Sequence, residues 1–229
     1  MKDLNRQLAE NVLSRYLPPK LVNEVIKGRL TFDIGAKVQT VTVLFADLCN
    51  FTQTVNELGP TVVATVLNQF LMAMTEVVFA NQGIVDKFIG DAVMAVFGMP
   101  EKMEPHEQAK MAVACAVAMN QCLDALNMDW IKKGYPRFKM RIGINQGEAI
   151  IGHFGGNRRS DFTAIGTVVN LAARIESTAE AGEIFTSAEV KTIVDTVDWV
   201  SAGRHRLKGI AGEQELFKVV MPSRDRLVA

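Results

Sequence analysis

Apolar positions in the first twenty residues fall at Leu4, Leu8, Val12 and Tyr16, with Leu13 and Leu17 beside them, and the series stops at Pro18-Pro19. That spacing predicts an amphipathic helix over 1–19, ended where proline removes a backbone donor and crowds the preceding turn. A stripe this short suits both a connector from an upstream module and a helix packed on its own domain. From about 38 the texture changes to VQTVTVLFA, β-branched and apolar, closed by the polar DLCNFTQ. This predicts a buried strand running into a loop. A helix is predicted over roughly 60–80. GIVDKFIGDAVMAVFG contains two short β-like runs joined across Ile89-Gly90-Asp91, a hairpin with an aspartate at its tip. An Ala- and Met-rich helix is predicted over roughly 105–127. FKMRIGINQGEAIIGHFG repeats the hairpin texture around Gln146-Gly147, and TVVNLAARIESTAE supplies a third helix before a tail of shorter elements. Alternating strands, helices and hairpins predict an α+β fold, one mostly antiparallel sheet with helices on one face.

Composition narrows the setting. With 229 residues, 48% of them apolar, the chain supports one good core. We therefore expect a connector at 1–19 and a single domain over 20–229. Basic and acidic residues balance at 25 each, so no global field draws in nucleic acid or an anionic membrane, and neither is an expected partner. Any polyanionic ligand must be held by local groups. Cys49, Cys115 and Cys122 form no close pair of metal or redox spacing, which points to a reducing, cytoplasmic setting. No targeting segment is expected at the start, and the uncharged run MAVACAVAM (111–119) is too short to span a bilayer.

Two carboxylates stand at predicted strand ends, Asp47 after the first strand and Asp91 at the hairpin tip. Hard cations take oxygen ligands, and magnesium in nucleotide sites uses one or two carboxylates, completing its shell with water and phosphate. The loop Leu48-Cys49-Asn50-Phe51-Thr52 precedes a helix, where free backbone N–H groups cradle phosphate oxygens. Within it the Cys49 thiol has no evident activating neighbour and reads as passive. Asn170 and Arg174, four apart on a predicted helix, share one face. An amide there orients a hydroxyl or ring oxygen, and a guanidinium meets charge developing on a transferring phosphoryl group. Without other motifs the same pair reads as a solvated face, with Arg174 near Glu176 or Glu180. The histidines His106, His153 and His205 stand apart from each other and from the cysteines, giving no support to a zinc site or a Ser-His-Asp arrangement.

Taken together, VTVLFADLCNFT, VDKFIGDAVMAVFG, MRIGINQGEAIIG, DFTAIGTVVNLAARIES and LKGI resemble the class III nucleotidyl cyclase catalytic domain, in that family's order and over roughly 38–220. The resemblance implies a ferredoxin-like palm fold and a head-to-tail homodimer with active sites at the subunit interface. It implies adenylyl cyclase activity, ATP to 3′,5′-cyclic AMP and pyrophosphate, with two Mg2+ or Mn2+ ions per active site. Guanylyl cyclase activity and a catalytically silent dimerisation or nucleotide-sensing module are the alternatives. Carried over by motif, Asp47 and Asp91 are the metal-binding aspartates, with the backbone carbonyl of Leu48 as a further ligand. Cys49, Asn50, Phe51 and Thr52 form the phosphate loop. Arg141 matches a phosphate-contacting arginine, and Lys208 a lysine near the triphosphate. Asn170 and Arg174 match the pair that orients the ribose and stabilises the transition state, and Lys87 and Thr163 occupy the purine-selecting positions. In the family the two sides of a site come from different subunits. Apart from the resemblance, the helix before Pro18 points to an upstream regulatory domain in a longer protein.

The purine-selecting pair can be read chemically. Adenine offers an acceptor at N1 and a donor at its 6-amino group, which complement an ammonium and a hydroxyl, whereas the N–H groups of guanine would face Lys87 unpaired. Three positions depart from the family pattern. Asn50 stands where glycine commonly precedes Phe-Thr, and asparagine tolerates the positive φ that position calls for. Thr167-Val168 replaces Asp-Thr before Val169-Asn170, bearing on how that helix begins. Thr163 replaces aspartate, and relatives with threonine there include bicarbonate-responsive cyclases.

Overall fold

The structure, a computed structural model, describes residues 22, 26–28, 35–156 and 159–221. The helix expected over 1–19 lies outside the described residues. The element order is β1 (Lys37–Leu48), α1 (Phe51–Ala80), β2 (Ile84–Ile89), β3 (Ala92–Phe97), α2 (Pro105–Lys132), β4 (Met140–Gly156), β5 (Arg159–Ile165), α3 (Thr167–Thr178), β6 (Ile184–Ser187), α4 (Ala188–Ile193), β7 (Trp199–His205) and β8 (Gln214–Val219). The sheet runs β2-β3-β1-β4-β6-β8-β7, with β5 paired to β4. Its first four strands with α1 and α2 make the βαββαβ unit of the ferredoxin-like palm. Only β4 and β6 pair in parallel among the described strands.

Alternation along β1 assigns its side chains to two layers. Leu44, Ala46 and Leu48 pack with Phe70, Met74 and Val78 of α1 and Ala112, Ala116 and Met119 of α2. Val41, Val43 and Phe45 face the other way and meet Val168 and Ala172 of α3 and Val22. Helices thus cover both faces, not the single face expected from the sequence. A buried strand with apolar residues on both faces needs a cover on each. By length and composition alone, Leu58–Ala80 and Pro105–Lys132 are apolar enough to cross a membrane; here both are layer helices on the sheet.

Two expectations change. The first helix begins at Phe51, earlier than expected, and is kinked where Gly59 takes φ 65° and ψ 152° ahead of Pro60. No hairpin forms at Gln146-Gly147, because β4 runs straight through and pairs with β1 from Lys37↔Ile151 to Leu48↔Met140. Gln146 is held inside, its Nε2 donating to Thr42 Oγ1 and to the Pro105 carbonyl, both at 2.7 Å. The β2–β3 hairpin forms as expected, with Asp91 in its turn and Ile89 opposite Ala92.

Candidate active site

Strand register assembles the first cluster. Asp47 lies directly across the ladder from Arg141, an opposite-charge pair on adjacent strands. The Ala46↔Val93 pairing brings the β2–β3 turn alongside the end of β1, so that Asp91 comes beside Asp47. Arg141 donates from Nη2 to Asp47 Oδ2 at 2.8 Å and from Nε to Glu176 Oε1 of α3. Close approach of α3 makes this reach possible. A Cβ at Gly143 would lie 2.1 Å from the Glu176 backbone nitrogen, so only glycine lets the helix rest on β4 here.

Asp47, Leu48, Cys49, Asn50, Phe51, Thr52, Gln53, Asp91 and Arg141 line one cleft of about 270 Å³. Burial, and then the negative charge of Asp47, push Asp91 up to about 6. Burial likewise pushes Glu176 up to about 7 against the pull of Arg141. The repulsion that Asp91 meets from Asp47 is what a bound divalent cation would relieve, and the oxygens of the two carboxylates suit Mg2+ or Mn2+. Among the described residues no group of three or more His, Cys, Asp or Glu is placed to hold a metal, so the rest of such a shell would be carbonyl, water or phosphate oxygen.

The loop after β1 forms another side of the cleft. Asn50 adopts φ 60° and ψ 19°, the left-handed geometry expected of it, and α1 starts with no side-chain cap. Its first N–H groups therefore face the cleft from a helix N-terminus. The Phe51 ring is buried against Phe138 at 5.7 Å between centroids, which leaves its backbone to face the cleft. Burial raises the Cys49 thiol, in keeping with a passive residue.

Lys87 and Thr163 form a second cluster. Thr163 Oγ1 donates to Asp86 Oδ2 at 2.8 Å, and Lys87 Nζ stands 3.3 Å from the same oxygen. A third cluster lies on the exposed side of α3. Asn170 and Arg174 are both exposed there, and Arg174 Nε donates to the Lys208 carbonyl at 3.1 Å. The helix begins at Thr167 without a side-chain cap and carries Asn170 in its first turn. Neither the second nor the third cluster lines the cleft of the two aspartates.

Two further residues belong to this arrangement. Glu176, a sequence neighbour of Arg174, bonds Arg141 instead. Asp86 joins Lys87 and Thr163, although strand alternation would send it to the face opposite Lys87. The histidines stay apart, His205 bonded to the Ala202 carbonyl at 2.8 Å and His153 tilted against the Phe162 ring at 5.1 Å between centroids.

A family model described as the adenylate and guanylate cyclase catalytic domain matches residues 35–221. Adenylate cyclase 1 of Rhizobium meliloti is 31% identical over 208 residues, 90% of this chain and 31% of its own length. An adenylate cyclase of Anabaena cylindrica is 33% identical over 168 residues, 71% of this chain and 32% of its own length. The chain thus spans about a third of the length of these curated relatives. The adenylyl cyclase CyaB from P. aeruginosa superposes with a TM-score of 0.81 at 34% identity, covering 84% of this chain and 99% of that one. The guanylyl cyclase Cya2 superposes at 0.76 with 32% identity, covering 83% and 96%.

Proposed function

The chain belongs to the adenylate and guanylate cyclase catalytic-domain family, and from that premise we propose that it closes ATP into 3′,5′-cyclic AMP and pyrophosphate as a homodimer. The observation that carries the choice of ATP is the meeting of Lys87 and Thr163, distant in sequence, on one carboxylate. A donor-only ammonium beside a hydroxyl complements N1 and the 6-amino group of adenine.

Asp47, Asp91 and the carbonyl of Leu48 would hold the two divalent cations, whose chemistry when bound is to acidify the 3′ hydroxyl and neutralise the triphosphate. The loop 49–52 holds phosphate oxygens through backbone N–H groups, and Arg141 steadies Asp47 while presenting positive charge to the cleft. The 3′ oxygen forms a bond to the α-phosphorus as the bond to the pyrophosphate oxygen breaks, and the hydroxyl proton leaves to solvent. Asn170 orients the ribose. Arg174 meets charge developing at the α-phosphoryl group, with Lys208 near the triphosphate. In this reading Asn170 and Arg174 serve the aspartate cleft of the partner subunit, which agrees with their not lining the cleft of their own. In the same reading a regulatory part of a longer protein lies beyond this domain, bicarbonate stimulation belongs to the domain itself through Thr163, and the setting is cytosolic.

Guanylyl cyclase activity is the second reading, favoured by the likeness to Cya2. The test is cyclic nucleotide formation by the purified chain with ATP or GTP, each with magnesium or manganese, beside Asp47→Ala. Cyclic AMP that vanishes in the variant is the expected result. Cyclic GMP as the main product supports the second reading, and no product at high protein concentration supports a silent dimerisation module.

A further inference from the structure

Asp86 is a carboxylate beneath the base-selecting pair, and the reaction described above does not explain its burial. Its side chain is fully buried, whereas that of Lys87 is 39% exposed. Neighbouring strand residues ordinarily point to opposite faces. Here the β2–β3 ladder pairs Val85 with Ala95 but Lys87 with Met94, so β2 carries one extra residue at Asp86. A bulge of this kind re-aims a side chain. It allows two consecutive residues to meet at 3.3 Å, with Thr163 of β5 joining them at 2.8 Å.

All these contacts run through Oδ2. Oδ1 is buried and has no hydrogen-bond partner among the described residues. Burial raises the proton affinity of Asp86, and the Thr163 hydrogen bond and Lys87 oppose that rise. A buried carboxylate left half satisfied is costly, so its retention calls for a use.

We infer that Asp86 is a positioning residue that fixes the hydrogen-bonding polarity of the purine pocket in favour of 6-aminopurine nucleotides. A threonine hydroxyl has one proton to donate. Spent on Asp86, that proton leaves Thr163 only lone pairs to offer a ligand. The same carboxylate holds the Lys87 ammonium at the pocket as a donor. A 6-amino group and an N1 acceptor match this pair. Guanine instead sets its O6 lone pairs against the hydroxyl and its N1–H against the ammonium. Adenine selectivity then belongs to three residues rather than two.

This inference rests on the reading that Lys87 and Thr163 face the base. Asp86→Asn keeps the shape but removes the charge, and its amide can donate to Thr163, freeing the hydroxyl to donate to O6. We expect the ATP-to-GTP ratio of kcat/KM to fall by roughly tenfold or more, mainly through KM for ATP, with kcat for ATP changed only a few-fold. With Thr163→Val as background the same change should have a smaller effect, since valine carries no proton to fix. An unchanged ratio, an equal fall for both nucleotides, or full additivity in the double variant overturns the inference. Circular dichroism checks folding. If Asp86→Asn does not fold, Asp86→Ser takes its place, and failure of both makes Asp86 a folding residue and overturns the role. A wild-type chain that prefers GTP, or makes no cyclic nucleotide, overturns the proposed function and this inference together. A wild type that prefers ATP, with Asp86→Asn just as selective, overturns this inference alone.

Discussion

Arg141 and Asp47 face each other across the β1–β4 ladder with Nη2 2.8 Å from Oδ2, while Nε of the same guanidinium holds Glu176 on α3. One planar fork thus ties a cleft aspartate to the helix that carries Asn170 and Arg174. Lysine keeps the charge but cannot hold two carboxylates in fixed directions.

Arg141→Lys should therefore lower kcat/KM for ATP by about tenfold or more, the usual scale for losing a charge-assisted hydrogen bond. Initial rates across ATP and metal concentrations check this. A variant within twofold of wild type would remove Arg141 from the working site.

Complementation tests the proposed division of the site between subunits. Asp47→Ala and Arg174→Ala should each be nearly inactive as homodimers. An equal mixture should recover about a quarter of wild-type activity, since half the dimers are mixed and each mixed dimer has one intact site of two. No recovery on mixing, with subunit exchange shown independently, argues that each subunit works alone.

Stability should carry the signature of Glu176. Its native pKa is raised from 4.5 to about 7, so the native state holds this proton more firmly than the unfolded chain. The resulting contribution is fully present below about pH 4.5 and is lost as pH rises through about 7. Glu176→Gln should flatten the decline in urea midpoint across that window. An identical slope in wild type and variant would count against this assignment.

Gly143→Ala tests the approach of α3 to the sheet. The added methyl would meet the helix backbone at Glu176 and Ala172, which cannot rotate away as a side chain can. Overpacking of this kind costs about 1–3 kcal/mol. The denaturation midpoint should fall accordingly, and activity should fall with it because Glu176 and Arg174 move together.

Local chemistry made much of the site legible before any fold was known. An apolar strand ending in Asp47, a turn carrying Asp91, an asparagine at φ 60° and a helix presenting Asn170 and Arg174 on its exposed side are all written in short segments. Each depends on residues within a few positions of one another, where periodicity and turn preference act directly. Long-range pairing was not legible. Gln146-Gly147 looks like a turn, yet passes through a strand because β1 pairs along the whole segment and Thr42 accepts the buried amide of Gln146. Glu176 sits near Arg174 in sequence but bonds Arg141, because Gly143 lets the helix settle onto β4. Asp86 and Lys87 converge only because the β2–β3 ladder slips by one residue. The sequence by itself determined most of the local elements and the candidate residues that they bear. Only the tertiary structure decided which of them meet, since strand register and helix approach depend on packing between segments far apart in the chain.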